Sequence, residues 1–317
     1  MGSRIQAREI VDADKRSVAS LLARGLGYPD EYFLHVLDCL TEHATPEGFP
    51  KYGYLLESDG SVVGAIIMIF SAIRSPSVSI NIRCHVTSWY VEPGFRCFAT
   101  LFFLKGLKSK SVTYLNISAR PRALPVLNVQ GFLKYCTGQF VALPVLRLSS
   151  SGCRVKVAEA ISATQASSPF EQDLLLAHAK YGCISIWCTT STGAYPFVFQ
   201  KRYFKGFIPG VQLIYCRDID DLVRFARPIG FFMALRGIFV VRMDSNGPIS
   251  GLFGKFFDGK EPRYYKGPKP RVGDLTYTQA VICGYPRRRL SLVSHVRRAS
   301  QITGLAKVLS LQQLRRS

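Results

Sequence analysis

The sequence has no long hydrophobic run. Its longest apolar stretch, Val62 to Ile73, falls short of the roughly 18 residues of a membrane-spanning helix. Residues 1–10 hold no apolar core of a secretory signal, so the chain is expected to stay in the cytosol. The nine cysteines are irregularly spaced and none forms C-x-x-C, which argues against a disulfide framework and structural zinc. His35, His43, His85, His178 and His295 show no zinc-ligand spacing with acidic support, so no metal is expected. G-x-S-x-G is absent, which weakens a serine-hydrolase reading. Acidic residues are scarce: 21 Asp+Glu against 41 Lys+Arg leave a formal net charge of +20. The scarcity is uneven, with residues 1–60 at net −4, 61–285 at +16, and 286–317, which contain no acidic residue, at +8. A basic body selects an anionic partner: a phosphorylated cofactor, nucleic acid or a lipid surface.

What is present suits a globular α/β protein. The chain has 317 residues, 48% of them hydrophobic, enough for a sizeable core and for two domains. Residues 12–27 begin with acidic cap residues and end in glycine, which predicts a helix, and a second is predicted over 30–43. Strands are predicted over 52–57 and 62–70 around the turn 58–61, and over 85–91, stopping at Glu92-Pro93-Gly94. Residues 97–107 are apolar nearly all round, as in a buried helix. A strand over 112–117, a helix over 124–129 and further strands toward Leu148 follow. A Ser-rich break over 149–170 reads as a linker. Beyond it come strands over 183–188, 196–199 and 211–216, a helix over 219–235, a strand over 237–243, a Gly/Pro/Lys-rich loop over 251–273 and a strand over 275–282. Both halves thus run strand–turn–strand, strand, helix, strand, which suggests a duplicated unit.

The chemistry-bearing stretch is Ser88-Trp-Tyr-Val-Glu-Pro-Gly-Phe-Arg-Cys-Phe-Ala-Thr-Leu-Phe102. A strand enters a Pro-Gly bend, then an arginine, then an apolar helix. Unpaired backbone N–H groups at a helix start suit a pyrophosphate, and Arg96 adds a guanidinium. The same pattern also suits an ordinary strand–helix turn.

Residues 4–148 resemble the GNAT superfamily of acyl-CoA-dependent N-acyltransferases. Val91-Glu-Pro-Gly-Phe-Arg96 fits its strand ending V-x-P-x-[FY]-R, and Ala123, Val126 and Gly131-Phe132 fit its later A-x-x-L-Y-x-x-x-G-F pattern. The second half is similar only in outline. The resemblance implies an α/β fold, an α+β mixed sheet built of two GNAT-like units. Each would be a mostly antiparallel sheet with splayed central strands flanked by helices. The expected organisation is an acyl-CoA-binding domain over 1–149, a linker over 150–172, a second, degenerate unit over 173–286 and a basic amphipathic tail over 287–317.

The resemblance further implies that acetyl-CoA or another acyl-CoA lies where the fourth and fifth strands part. Backbone near Val91 would pair with pantetheine, and the amides of Arg96, Cys97, Phe98, Ala99 and Thr100 would hold the pyrophosphate. Glu92 is the candidate base, with Ser118 and His85 behind it. Leu127 stands where the family's proton-donating tyrosine falls, Leu101 where a small residue is preferred, and Arg120 where asparagine is common. The implied function is acyl transfer to an amine, of a small molecule or peptide, by direct attack in a ternary complex. The alternative is a degenerate GNAT-like protein that only docks a partner or an anionic surface.

In the second half the matching junction carries Asp218, Asp220 and Asp221, which would repel a pyrophosphate. Gly254-Lys-Phe-Phe-Asp-Gly-Lys260 imitates a P-loop, but Glu261 replaces the Mg²⁺-binding hydroxyl and Pro262 follows. Residues 263–271 mix basic and aromatic side chains, a weaker pointer to single-stranded nucleic acid. The tail spaces leucines and valines among eight basic residues, as in helices that dock peripherally on anionic membranes.

Overall fold

The computed structural model describes residues 4–74, 80–119, 121–148, 152–160, 168–204 and 207–276. Arg120, the linker residues 149–151 and 161–167, residues 277–282 of the strand expected over 275–282 and the whole basic tail lie outside the described residues.

The first half opens with strand β1 (Ile5–Glu9), then helices α1 (Lys15–Leu26) and α2 (Asp30–Glu42). Gly27, at φ 75°, ends α1 in a left-handed cap that a side chain would strain. On α2, Phe33, Val36, Leu37 and Leu40 recur at helical spacing and are buried. Strands β2 (Gly53–Ser58), β3 (Ser61–Arg74) and β4 (Ile80–Val91) form an antiparallel meander. The unbroken apolar run of β3 is covered on both faces, as such runs require. Ala65, Ile67 and Ile69 face α1 and α2, while Ile66, Met68 and Phe70 pack with Phe102 and Phe103 of α3 (Ala99–Gly106). Then follow β5 (Thr113–Asn116), α4 (Leu124–Val129) and β6 (Leu133–Ala142).

The second half contains β7 (Arg154–Val157), α5 (Pro169–Lys180), β8 (Ile184–Thr190), β9 (Gly193–Phe204) and β10 (Ile208–Cys216). It continues with α6 (Ile219–Arg224), α7 (Ala226–Ala234), β11 (Val240–Ser245) and β12 (Gly254–Lys266). All 12 strands form one mixed sheet in the order β1-β2-β3-β4-β5-β12-β6-β11-β10-β9-β8-β7. The order is a palindrome: β1 to β5 on one side answer β7 to β11 on the other, with β12 and β6 at the centre. Each half therefore lends its last strand to the other. β12 pairs with β5, and β6 pairs with β11. On one face α1 and α2 meet α5, where the ring Nδ1 of His43 lies 3.3 Å from the Tyr181 hydroxyl. Helix α3, α6 and α7 lie against the other face, the latter two over Ile186, Phe197, Phe199, Val211 and Leu213.

Several local expectations change. The loop expected over 251–273 is largely the long strand β12. Glycine and proline disguise it because residues 259–262 bulge out of the ladder, and proline is tolerated in a strand at such a bulge. The P-loop-like run is part of this strand and no helix follows it. The helix expected over 219–235 is two, broken at Phe225, because Pro228 has no N–H to return to Arg224. The helix expected to be buried all round exposes Leu101 by 68% and Leu104 by 42%, and buries only Phe102, Phe103 and Gly106. Strand β1, strand β7 inside the Ser-rich stretch and helix α5 are elements that composition did not signal.

Candidate functional site

The site begins where a parallel pair comes apart. Strands β4 and β5 pair through Arg83, Cys84 and His85 against Thr113, Tyr114 and Leu115, and no further. From Val86 to Val91 the β5-facing edge of β4 is unpaired among the described residues. The divergence coincides with a bulge. The β3–β4 register shifts between Ala65 and Ile67, and Ser88 sits at φ 47°, a left-handed conformation that costs a serine on the order of 1 kcal/mol.

A cavity of about 540 Å³ opens at this splay. Its first-half wall is aromatic, with Tyr28, Tyr32 and Phe33 at the start of α2 and Trp89 and Phe103 opposite. Its floor belongs to the second half: Arg202 and Phe204 from β9, Arg242 from β11, and Glu261 and Arg263 from β12.

The floor is a network of buried charge. Arg263, 1% exposed, donates to both carboxylate oxygens of Asp244 at 3.0–3.1 Å and to the Ile117 carbonyl. Asp244 also accepts from Gln139 Nε2 at 2.8 Å. Arg242 donates to Glu261 at 2.8 Å and to Gln212 Oε1 at 2.5 Å. Burial pulls the Arg242 guanidinium below its ordinary value, against the pull of Glu261. Burial would raise the Glu261 carboxyl, but Arg242 and Arg263 outweigh it and hold it below the usual carboxylate range. His85 is 1% exposed, and among the described residues neither ring nitrogen has a hydrogen-bond partner. Burial first, then Arg263 and Arg83, push it down to about 3, so its imidazole is neutral. The indole Nε1 of Trp89 is likewise buried without a partner.

The residues expected from sequence are placed as follows. His85, Ser118 and Leu127 line the cavity. None of Val91, Glu92, Arg96, Cys97, Phe98, Ala99 and Thr100 does. Val91 is buried at the end of β4. Glu92 stands outside, 3.2 Å from the Arg24 guanidinium. Arg96, Cys97 and Thr100 are exposed, and Phe98 and Ala99 are half-buried against the α3 core. The expected row of open amides is tighter than foreseen. Residues Pro93–Phe98 wind as a 3-10 helix, and the Ala99 amide donates to the Arg96 carbonyl. Arg202, Arg242, Glu261 and Arg263 were missed. The signal for them is a polar residue interrupting an apolar strand, as in Val240-Val-Arg-Met-Asp244. Among the described residues no three His, Cys, Asp or Glu side chains cluster as metal ligands.

No protein-family model matches the chain, and no curated protein matches it in sequence. Solved structures do match. A GCN5-related N-acetyltransferase from Anabaena variabilis superposes with a TM-score of 0.55 at 7% identity, over 83% of this chain and 72% of that one. One from Kribbella flavida superposes with a TM-score of 0.52 at 11% identity, over 83% of this chain and 71% of that one. At such identities the likeness establishes the fold, which is that of the GNAT superfamily.

Proposed function

We propose that the chain transfers an acyl group, acetyl in the first instance, from acyl-CoA to an amine by direct attack in a ternary complex. The observation that carries this reading is the parting of β4 and β5 beyond His85 and Leu115, which leaves an unpaired strand edge beside an open cavity. An unpaired edge offers alternating N–H and C=O groups, the complement of the amides of an extended pantetheine arm. The exposed Arg96 ahead of α3 would take the pyrophosphate. Acyl-CoA would supply the activated thioester, and the residues around the splay would orient it.

Among the described residues, the cavity lining holds no basic imidazole and no carboxylate suited to take the ammonium proton. His85 is pushed to about 3 and Glu261 is held ionised by two arginines. We therefore assign that proton to solvent, with the amine entering neutral, and Glu92 acting only through water from outside. Leu127 cannot donate to the departing thiolate, so solvent protonates it as well. Transfer should rise with pH until the acceptor amine is deprotonated. Calorimetric titration of CoA, with free-thiol release from acetyl-CoA over a panel of primary amines, tests the reading. Absence of CoA binding would refute it. CoA binding without thiol release would favour the second reading, a non-transferring binding protein, for which the buried Leu127 speaks. For the basic segment 286–317 we propose peripheral contact with anionic membranes, tested by salt-dependent vesicle co-sedimentation of the full chain.

A further inference from the structure

The centre of the sheet is unusual on the face shared by α1, α2 and α5. Those helices cover the outer strands with apolar contacts. Between them, the central strands turn a row of buried polar side chains, among them Gln139, Gln212, Arg242, Asp244 and Arg263, toward that face. A core needs no such row: even when paired with one another, buried charges often stabilise no more than well-packed apolar side chains of similar volume.

Resting on the acyl-transfer reading, we propose that the acceptor is an amine bearing an oxyanion, a carboxylate or a phosphate, seated on the arginine floor that the second half lays beneath the splay.

Three observations carry this. The first is charge. Arg202, Arg242, Arg263 and Lys260 line the cavity, while the carboxylates in reach are Glu261 and, behind Arg263, Asp244. Cations outnumber carboxylates, and Arg202 and Arg242 are only 9% and 8% exposed, so water screens the excess poorly. The second is His85. A buried neutral imidazole with neither nitrogen bonded lacks a partner, which an occupant can provide by accepting from one N–H or donating to the other nitrogen. The third is separation. None of Val91 to Thr100 lines this cavity, so the floor is distinct from the place proposed for the CoA pyrophosphate. The aromatic wall facing the floor gives the apolar body of the acceptor a surface to pack on.

The test is calorimetric binding to the full chain of two matched pairs: L-phenylalanine with phenethylamine, and O-phosphoethanolamine with ethanolamine. At least one anionic member should bind about tenfold or more tightly than its neutral counterpart, as a charge-assisted contact requires. The pair that discriminates more identifies carboxylate or phosphate. Arg202→Gln and Arg242→Gln should each remove the preference while leaving CoA affinity unchanged. If Arg242→Gln fails to fold, Arg202→Gln and the exposed Lys260→Gln carry the comparison. Equal binding within each pair, no binding of either anionic member, or a preference that survives the substitutions overturns the proposal. So does a loss of CoA affinity in the floor variants that Arg96→Glu does not share, because the floor would then hold the cofactor's phosphates. Absence of CoA binding to the wild-type chain refutes the acyl-transfer reading alone, since the matched pairs are read without turnover.

Discussion

The sheet contains two parallel pairs, and they have met different fates. β4 and β5 are joined through three residue pairs, and so are β10 and β11, at Gly210, Val211 and Gln212 against Val240, Val241 and Arg242. Each leading strand carries an irregularity against its antiparallel neighbour, at Ser88 in β4 and at Ile214 in β10. The first splay opens on the cavity. The second is stopped by the chain itself: the Leu275 amide donates to the Ile214 carbonyl at 2.8 Å, Leu275 is fully buried, and Arg271 donates to the Cys216 carbonyl. Asp274 ties this segment back to the first half through Arg83, whose Nη1 and Nη2 each donate to one of its carboxylate oxygens at 3.1 Å. One strand plan thus serves as a binding notch or as a sealed joint, depending on what lies in the opening.

The sharpest way to break the sealed joint is Asp274→Ala. Arg83 would be left buried without a counter-charge, at a cost of about 3–5 kcal/mol, read as a fall in the denaturant midpoint. Burial would raise the Asp274 carboxyl, but Arg83 overrides it and lowers it to about 2. A depressed carboxyl stabilises fully above its unfolded value of roughly 4 and loses that contribution as pH falls toward 2. The gap between wild type and variant should therefore shrink between pH 5 and pH 2, and an unchanged gap would show that the pair does not set it. Leu275→Ala should cost about 2–4 kcal/mol, from lost burial plus the cavity left behind.

At the open splay, Arg96→Glu should weaken CoA by about 2–3 kcal/mol through a lost charge-assisted contact and new repulsion. Equal affinities by calorimetry would remove Arg96 from the site. The sealed joint and Asp218, Asp220 and Asp221 should hold the wild-type stoichiometry at one CoA per chain. A titration reaching two would erase the distinction between the splays. The smallest effect is expected from Ser88→Gly. Relief of the left-handed strain, offset by the entropy of glycine, should change stability by less than about 1 kcal/mol, toward higher Tm.

What sequence reasoning could see was local. The turn between β2 and β3, the Gly27 cap and the end of β4 at Val91 depend on neighbours within a few residues, and each stands where expected within a residue or two. Reading failed where pairing is remote. β12 looked like a loop because Gly259 and Pro262 sit in a bulge whose partner, Thr137, is far away in sequence. Helix α3 looked buried because composition does not say that its Leu101 side is exposed among the described residues. Glu92 follows the strand as expected, but only folding reveals Arg24 beside it. The arginine floor is assembled from three strands of the other half, and each contributes one arginine that looks unremarkable alone.

The exchange of final strands also governs how the chain can be made. β6 ends at Ala142, yet β12, which must lie between it and β5, starts only at Gly254. During synthesis at roughly 5–20 residues per second, the first half therefore waits several seconds or more with the edges of β5 and β6 uncovered. It cannot finish before the second half is nearly complete. A fragment cut at residue 149 would carry β6 without either of its sheet neighbours, and such edges invite pairing with other chains. The same lateness places Arg263 and Glu261 in the last described strand of the sheet to be made, so the cavity floor is laid only when the sheet closes.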